Sequence, residues 1–170
     1  MKEQLFFVDA ESDGLYGKFL SVAALVTNKD GTELDCFYGA VKGTEEDISS
    51  EWVKKNVFPH LKNASVFYEN ENEMLEAFWS FWLKHREKAD CVSYVPYPVE
   101  SRLFITCVAE NEEERQLLAP FPIYDLATLL ESKGYSFDAD IKEVSGLDLI
   151  IHDAMNDVRM MAVAWKKLFN

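Results

Sequence analysis

Cysteine is scarce and unpatterned in this chain of 170 residues. Cys36, Cys91 and Cys107 are odd in number, show no CxxC spacing and sit in apolar surroundings. That excludes a disulfide framework and points to reduced, buried thiols in a cytoplasmic protein. No apolar run approaches the length needed to span a membrane, so no membrane association is expected. The start, Met1-Lys2-Glu3-Gln4, leads straight into a strand and does not read as a signal peptide. Basic residues are also short: 17 Lys and Arg face 30 Asp and Glu, for a net charge of −13. Long duplex nucleic acid, held through many Lys and Arg contacts to phosphate, is disfavoured as a partner. The acidic excess reads either as a solvated surface or, for a few residues, as ligands for cations. Repeats, low-complexity tracts and interdomain linkers are absent. What is present, 48% hydrophobic and 14% aromatic residues, suits a single domain over residues 1–170 with a substantial core.

The segment Leu5-Phe6-Phe7-Val8-Asp9-Ala10-Glu11 organises the rest. Side chains alternate along a strand, so Leu5, Phe7, Asp9 and Glu11 share one face and Phe6, Val8 and Ala10 the other. Both faces begin apolar, which predicts a central strand. Two like charges on one face of such a strand cost several kcal/mol unless something offsets them. A divalent metal would do so; an exposed strand end would too, and this segment alone does not choose between them.

Two further strands, Phe19 to Thr27 and Glu33 to Val41, follow with the turn Asn28-Lys29-Asp30-Gly31 between them, giving an antiparallel three-strand meander. A short helix over Glu51–Val57 is expected, and a long one capped by Asn70 and reaching about Lys88. Asp90 to Val95 reads as a strand, Val99 to Glu110 as a helix, and Ile123 as the middle of a short strand. Asp125 reads as the cap of a helix over Leu126–Lys133, not as a catalytic acid. A short helix over Ala139–Gly146 and a last one from about Asp153 to Leu168 complete the order. Strands then alternate with helices, so the expected class is α/β: a mixed sheet, meander plus parallel strands, flanked by helices.

Two more acids occupy apolar faces. Asp157 borders the stripe Ala154, Val158, Met161, Trp165 of the last helix. Glu100 stands one and two turns before Leu103, Phe104 and Cys107. Four acids on three segments, with His152 five positions before Asp157, favour a hard-metal site of oxygen ligands.

In this pattern the chain resembles the DnaQ-like 3′–5′ exonucleases of the DEDDh type, in the ribonuclease H-like superfamily. Asp9-Ala10-Glu11 resembles their first motif. His152-Asp153-Ala154-Met155-Asn156-Asp157 resembles the third, which pairs a histidine with an aspartate five residues on. The second would run from Val92-Ser93-Tyr94 through Glu100-Ser101-Arg102-Leu103-Phe104, where the family has an aspartate at the position of Glu100. The resemblance implies a ribonuclease H-like fold and phosphodiester hydrolysis with two Mg²⁺ or Mn²⁺ ions about 3.5–4 Å apart. Asp9 would bridge them. Glu11 and Asp157 would hold one ion, and Glu100 would help with the other. His152 would be the general base. The loop from Ser12 to Phe19 would meet the terminal nucleotide, with Tyr16 and Phe19 available to stack on a base. The implied substrate is single-stranded DNA or RNA, in short oligonucleotides. A binding or interaction module with little catalysis is the alternative, motivated by Glu100 and the acidic surface.

Overall fold

The computed structural model describes residues 1–136 and 139–169. Six strands form one mixed sheet: β1 (Gln4–Ser12), β2 (Phe19–Asn28), β3 (Glu33–Val41), β4 (Val66–Tyr68), β5 (Ala89–Ser93) and β6 (Ile123–Asp125), in the order β4-β3-β2-β1-β5-β6. β1 to β3 are the antiparallel meander that the sequence predicts. β4 is parallel to β3, β5 to β1, and β6 to β5. The class expected from sequence, a mixed α/β sheet flanked by helices, is therefore observed. β4 is absent from the sequence reading because it is three residues long, with Val66 and Phe67 exposed and no alternation to mark it.

The helices are α1 (Glu51–Asn56), α2 (Phe58–Leu61), α3 (Glu71–His85), α4 (Val99–Ala109), α5 (Glu112–Arg115), α6 (Leu126–Ser132), α7 (Ile141–Ser145) and α8 (Ala154–Phe169). The expected caps are present: the Asn70 side chain accepts from the Glu73 N–H at 3.0 Å, and Asp125 from Thr128 at 2.9 Å. Each satisfies a donor that the first helical turn leaves free.

Both faces of β1 are covered. Leu5 and Phe7 pack with Leu25, Val158, Met161 and Trp165, so α8 lies on that face. Phe6 and Val8 pack with Phe78, Trp82, Leu103 and Phe104 from α3 and α4. The Phe6 ring meets Trp82 edge-on at 5.1 Å, a favoured aromatic geometry. A smaller cluster joins Leu20 and Ile48 to Val53, Val57 and Leu61 of α1 and α2. Cys91 and Cys107 are buried as expected, but Cys36 is exposed. It sits in the first half of β3, which is only partly covered. Among the described residues no helix is long and apolar enough to cross a membrane.

Candidate active site

β1 is longer than its parallel neighbour. Its pairing with β5 ends at Phe7 opposite Val92, while its pairing with β2 continues to Ser12. Asp9 and Glu11 thus stand on the projecting half of the central strand, on the α8 face. Opposite them on β2 are Ala23 and Ser21, small side chains that leave space above the sheet. The Ser21 hydroxyl is buried and has no hydrogen-bond partner among the described residues.

α4 fills the gap left by β5. Its residue Glu100 is 5% exposed and accepts the Ala10 N–H at 3.2 Å. A side chain thereby takes a main-chain donor that a strand neighbour would otherwise occupy. α8 contributes Asp157 from its first turn. The main-chain N–H of His152 lies near the Asp157 carboxylate and favours its ionised form. Asp9, Glu11 and Asp157 each place a carboxylate oxygen within 4.8 Å of the other two. Glu100 is not in that trio. It lies on the far side of β1 from α8 and meets Asp9 through its charge.

His152 is the only non-glycine residue with positive φ, +62°, among those described. Histidine adopts this left-handed conformation more readily than most residues, and such outliers gather at functional sites. The kink places His152 on the wall of a cleft of about 300 Å³ shared with Asp9, Glu11, Tyr94, Ile151 and Asp157. The Trp52 ring of α1 packs against it at 4.9 Å, nearly perpendicular. Burial and His60 hold the imidazole below its ordinary pKa, while Asp140 pulls the other way. The ring is therefore neutral at pH 7 and able to accept a proton.

A fifth carboxylate joins this group, one that the sequence places in the third motif and at the start of the last helix without a role in the site. Asp153 is 4% exposed. It accepts from the Asn63 side-chain amide at 2.7 Å and from the Met155 N–H at 3.2 Å. Its position directly after His152, ahead of an apolar helix, was the available signal. The reach of Asn63 across 90 positions was not readable. Burial and then Asp153 push Asp9 up to about 7. Burial and then Asp9 push Glu11 up to about 8. Asp157 rises to about 9 through burial, Asp9 and Glu11, and Glu100 rises well above the usual range through burial and Asp9. Among the described residues no lysine or arginine pairs with any of these five acids. Carboxylates crowded together without a cation, with Asp9, Glu11, Glu100 and Asp157 all costly to ionise, are what a hard divalent cation satisfies, so the residues fit such an ion.

This electrostatic state sets a pH dependence. In the unfolded chain the acids ionise near 3.8 or 4.5, but in the fold Asp9, Glu11 and Asp157 ionise only near 7, 8 and 9. Between those limits the folded chain binds more protons than the unfolded one, so stability falls as pH rises. Thermal melts in EDTA are expected to drop steadily from about pH 5 to pH 9. Saturating Mn²⁺ should reverse the trend; melts with the same slope with and without Mn²⁺ would contradict the cation site.

The two aromatic residues expected to stack on a base fare differently. Phe19 is fully buried and covered by the Arg102 guanidinium at 3.9 Å, so it offers no face to a nucleotide. That expectation is corrected. The cause is a bulge: Glu11 pairs with Ser21 but Ser12 with Phe19, so Leu20 is the extra residue. The slip turns Phe19 into the α3/α4 layer and sends Leu20 to the cluster under α1, as a one-residue shift must. Tyr16 is 71% exposed and its hydroxyl lies near that of Tyr97, on the loop before α4. It does not line the cleft.

No protein-family model matches the chain, and no curated protein does. Solved structures do. The zinc-bound form of the E. coli exonuclease I complex with single-stranded DNA superposes with a TM-score of 0.74 at 15% identity, over 98% of this chain and 40% of that one. E. coli exonuclease I in complex with a dT13 oligonucleotide gives 0.72, also at 15% identity, over 98% and 41%. The nuclease domain of 3′hExo, a DEDDh family member, bound to rAMP gives 0.68 at 12% identity, over 98% and 91%. The chain thus spans about two fifths of the length of exonuclease I and nearly all of the 3′hExo nuclease domain. Its fold is that of the DEDDh-type, DnaQ-like 3′–5′ exonucleases.

Proposed function

We propose that residues 1–170 act as one exonuclease-like domain that hydrolyses the terminal phosphodiester bond at the 3′ end of single-stranded DNA or RNA with divalent metal. The observation that carries this reading is the convergence of Asp9, Glu11 and Asp157 within 4.8 Å in a cleft walled by His152. Asp9, Glu11 and Asp157 would hold one Mg²⁺ or Mn²⁺ ion, and Asp9 with Glu100 a second. Such ions supply positive charge against the attacked phosphate and the departing 3′ oxygen.

The chain's own groups do the rest. A ring nitrogen of His152 takes a proton from water as the water oxygen bonds to phosphorus. The bond from phosphorus to the 3′ oxygen breaks, that oxygen regains a proton, and a nucleoside 5′-monophosphate leaves. Ile151, Ile141 and Met161 wall the cleft on its apolar side and limit water around the reacting atoms. Asp153, fixed by Asn63, holds the turn that orients His152.

The test is hydrolysis of end-labelled single-stranded DNA and RNA oligonucleotides in Mn²⁺, Mg²⁺ or EDTA. Stepwise, metal-dependent loss from the 3′ end is expected. Glu100→Gln keeps the hydrogen bond to Ala10 but removes a charge beside Asp9, and should lower activity or metal affinity by about 10–100-fold. A second reading, a nucleic-acid-binding module with weak catalysis, is favoured by the position of Glu100 outside the trio. It predicts that the wild type binds Mn²⁺ and oligonucleotides but cleaves neither polymer, and that Glu100→Gln changes nothing measurable.

A further inference from the structure

β2 runs antiparallel to both β1 and β3, so the C-terminal ends of β1 and β3 lie at the same end of the sheet. β1 ends in the carboxylate cleft. β3 ends at Val41 in a separate depression of about 480 Å³. Its floor is apolar, with Phe58, Leu61 and Phe67, and its rim carries Lys42 and Lys62. No carboxylate lines it, in a chain of net charge −13. Phe67 is 42% exposed although it lies in a strand. Among the described residues Lys42 pairs only with Glu69, both side chains being more than half exposed; such a pair is weak and exchanges readily for another anion. Lys62 makes no ion pair among the described residues.

The depression and the cleft have no lining residue in common, but side chains of one segment reach both regions. α1 and α2 run from Trp52, whose ring touches His152, to Leu61 beside Lys62. The next residue, Asn63, holds Asp153. Lys62 is thus adjacent in sequence to a residue that touches the segment carrying His152.

We propose that this depression is the subsite for the part of a single strand upstream of the terminal nucleotide, with a base on Phe58 and Phe67 and the adjoining phosphates on Lys42 and Lys62. The proposal rests on the nuclease reading of the carboxylate cleft. Exposed aromatic faces with flanking cations are how single strands are held without sequence preference, because every base has a face to stack. The apolar floor adds no hydrogen-bonding code. The site therefore selects for strand length, not for sequence.

The test compares wild type, Lys42→Ala/Lys62→Ala and Phe67→Ala on two substrates: the p-nitrophenyl ester of thymidine 5′-monophosphate, which fills only the cleft, and hexanucleotides of thymidylate and uridylate. In saturating Mn²⁺ the double variant is expected to lose roughly tenfold or more in kcat/KM on the hexanucleotide and little on the ester. Phe67→Ala should lose roughly fivefold or more on the hexanucleotide alone. The salt dependence of hexanucleotide affinity should flatten by about 0.7 in logarithmic slope per lysine removed. An equal loss on both substrates, or none on either, overturns the subsite and leaves the hydrolytic cleft standing. If wild type cleaves neither substrate, the nuclease reading fails. Fluorescence anisotropy of the labelled hexanucleotides in EDTA then decides the subsite: weaker binding by the double variant supports it, and equal or absent binding overturns it.

Discussion

Replacing Asp9 with asparagine is expected to abolish metal-dependent hydrolysis and, in the absence of metal, to make the protein more stable. Both effects come from one carboxylate. Asp9 lies opposite Ala23 on the central strand, within 4.8 Å of Glu11 and Asp157, and its charge also raises Glu100. Losing it removes a ligand and the charge contrast that draws a cation in, so the rate should fall by at least about 10³-fold. Without a cation the balance reverses. Burial and Asp153 hold Asp9 near 7, so at pH 8 the fold carries a carboxylate ionised against its environment. Asparagine has nearly the same shape and no charge. The expected gain in EDTA at pH 8 is about 1–3 kcal/mol, or roughly 2–4 °C in Tm per kcal/mol for a chain of this size. Calorimetric Mn²⁺ titration and thermal melts measure both. Undiminished Mn²⁺ uptake by Asp9→Asn would remove the metal site. A lower melting temperature in EDTA would mean that the carboxylate is part of a stabilising polar network.

The sign of that stability change separates a functional site from a structural one. A structural buried acid is paired or accepts several hydrogen bonds, and removing it destabilises. Asp9 has no such partner among the described residues, and neither has Glu11. Glu100 has one main-chain donor and Asp153 two donors. The central pair of the cluster is thus the least compensated, and its compensation must come from outside the chain. This is the physical content of calling it a cation site.

How far the sequence led can be judged residue by residue. The shared face of Asp9 and Glu11 followed from strand alternation, and Asp157 from the apolar stripe of α8, because both are local periodicities with strong apolar context. Glu100 also followed from helical spacing, and it is buried as the spacing implied. Phe19 did not. Alternation fails at a bulge, and the bulge after Glu11 depends on pairing between β1 and β2, which no single segment encodes. Asp153 was missed for a related reason: its side-chain partner, Asn63, is 90 positions away. β4 was missed because a three-residue edge strand buries too little to leave a pattern. The left-handed backbone of His152 has no local signal either, since the residue that adopts this conformation is usually glycine and here it is histidine.

His152→Ala should separate metal binding from chemistry. His152 lines the cleft but is not one of the three clustered carboxylates, so Mn²⁺ affinity should stay within a few-fold of wild type. Loss of a positioned general base costs about 10²–10⁴-fold in kcat. The pH profile gives an independent reading. A base must be unprotonated, so the rate falls as pH drops through its pKa. Burial and His60 place that pKa below 6.5, and the acid limb at saturating Mn²⁺ should lie below pH 6.5 accordingly. Asp140 favours the protonated ring, so Asp140→Asn should move the limb to still lower pH without a large change in the plateau. In His152→Ala the limb should vanish or move to that of the carboxylates. An acid limb unchanged in both variants would assign it to another group, and the proton would then have to leave the attacking water by a route that does not include His152.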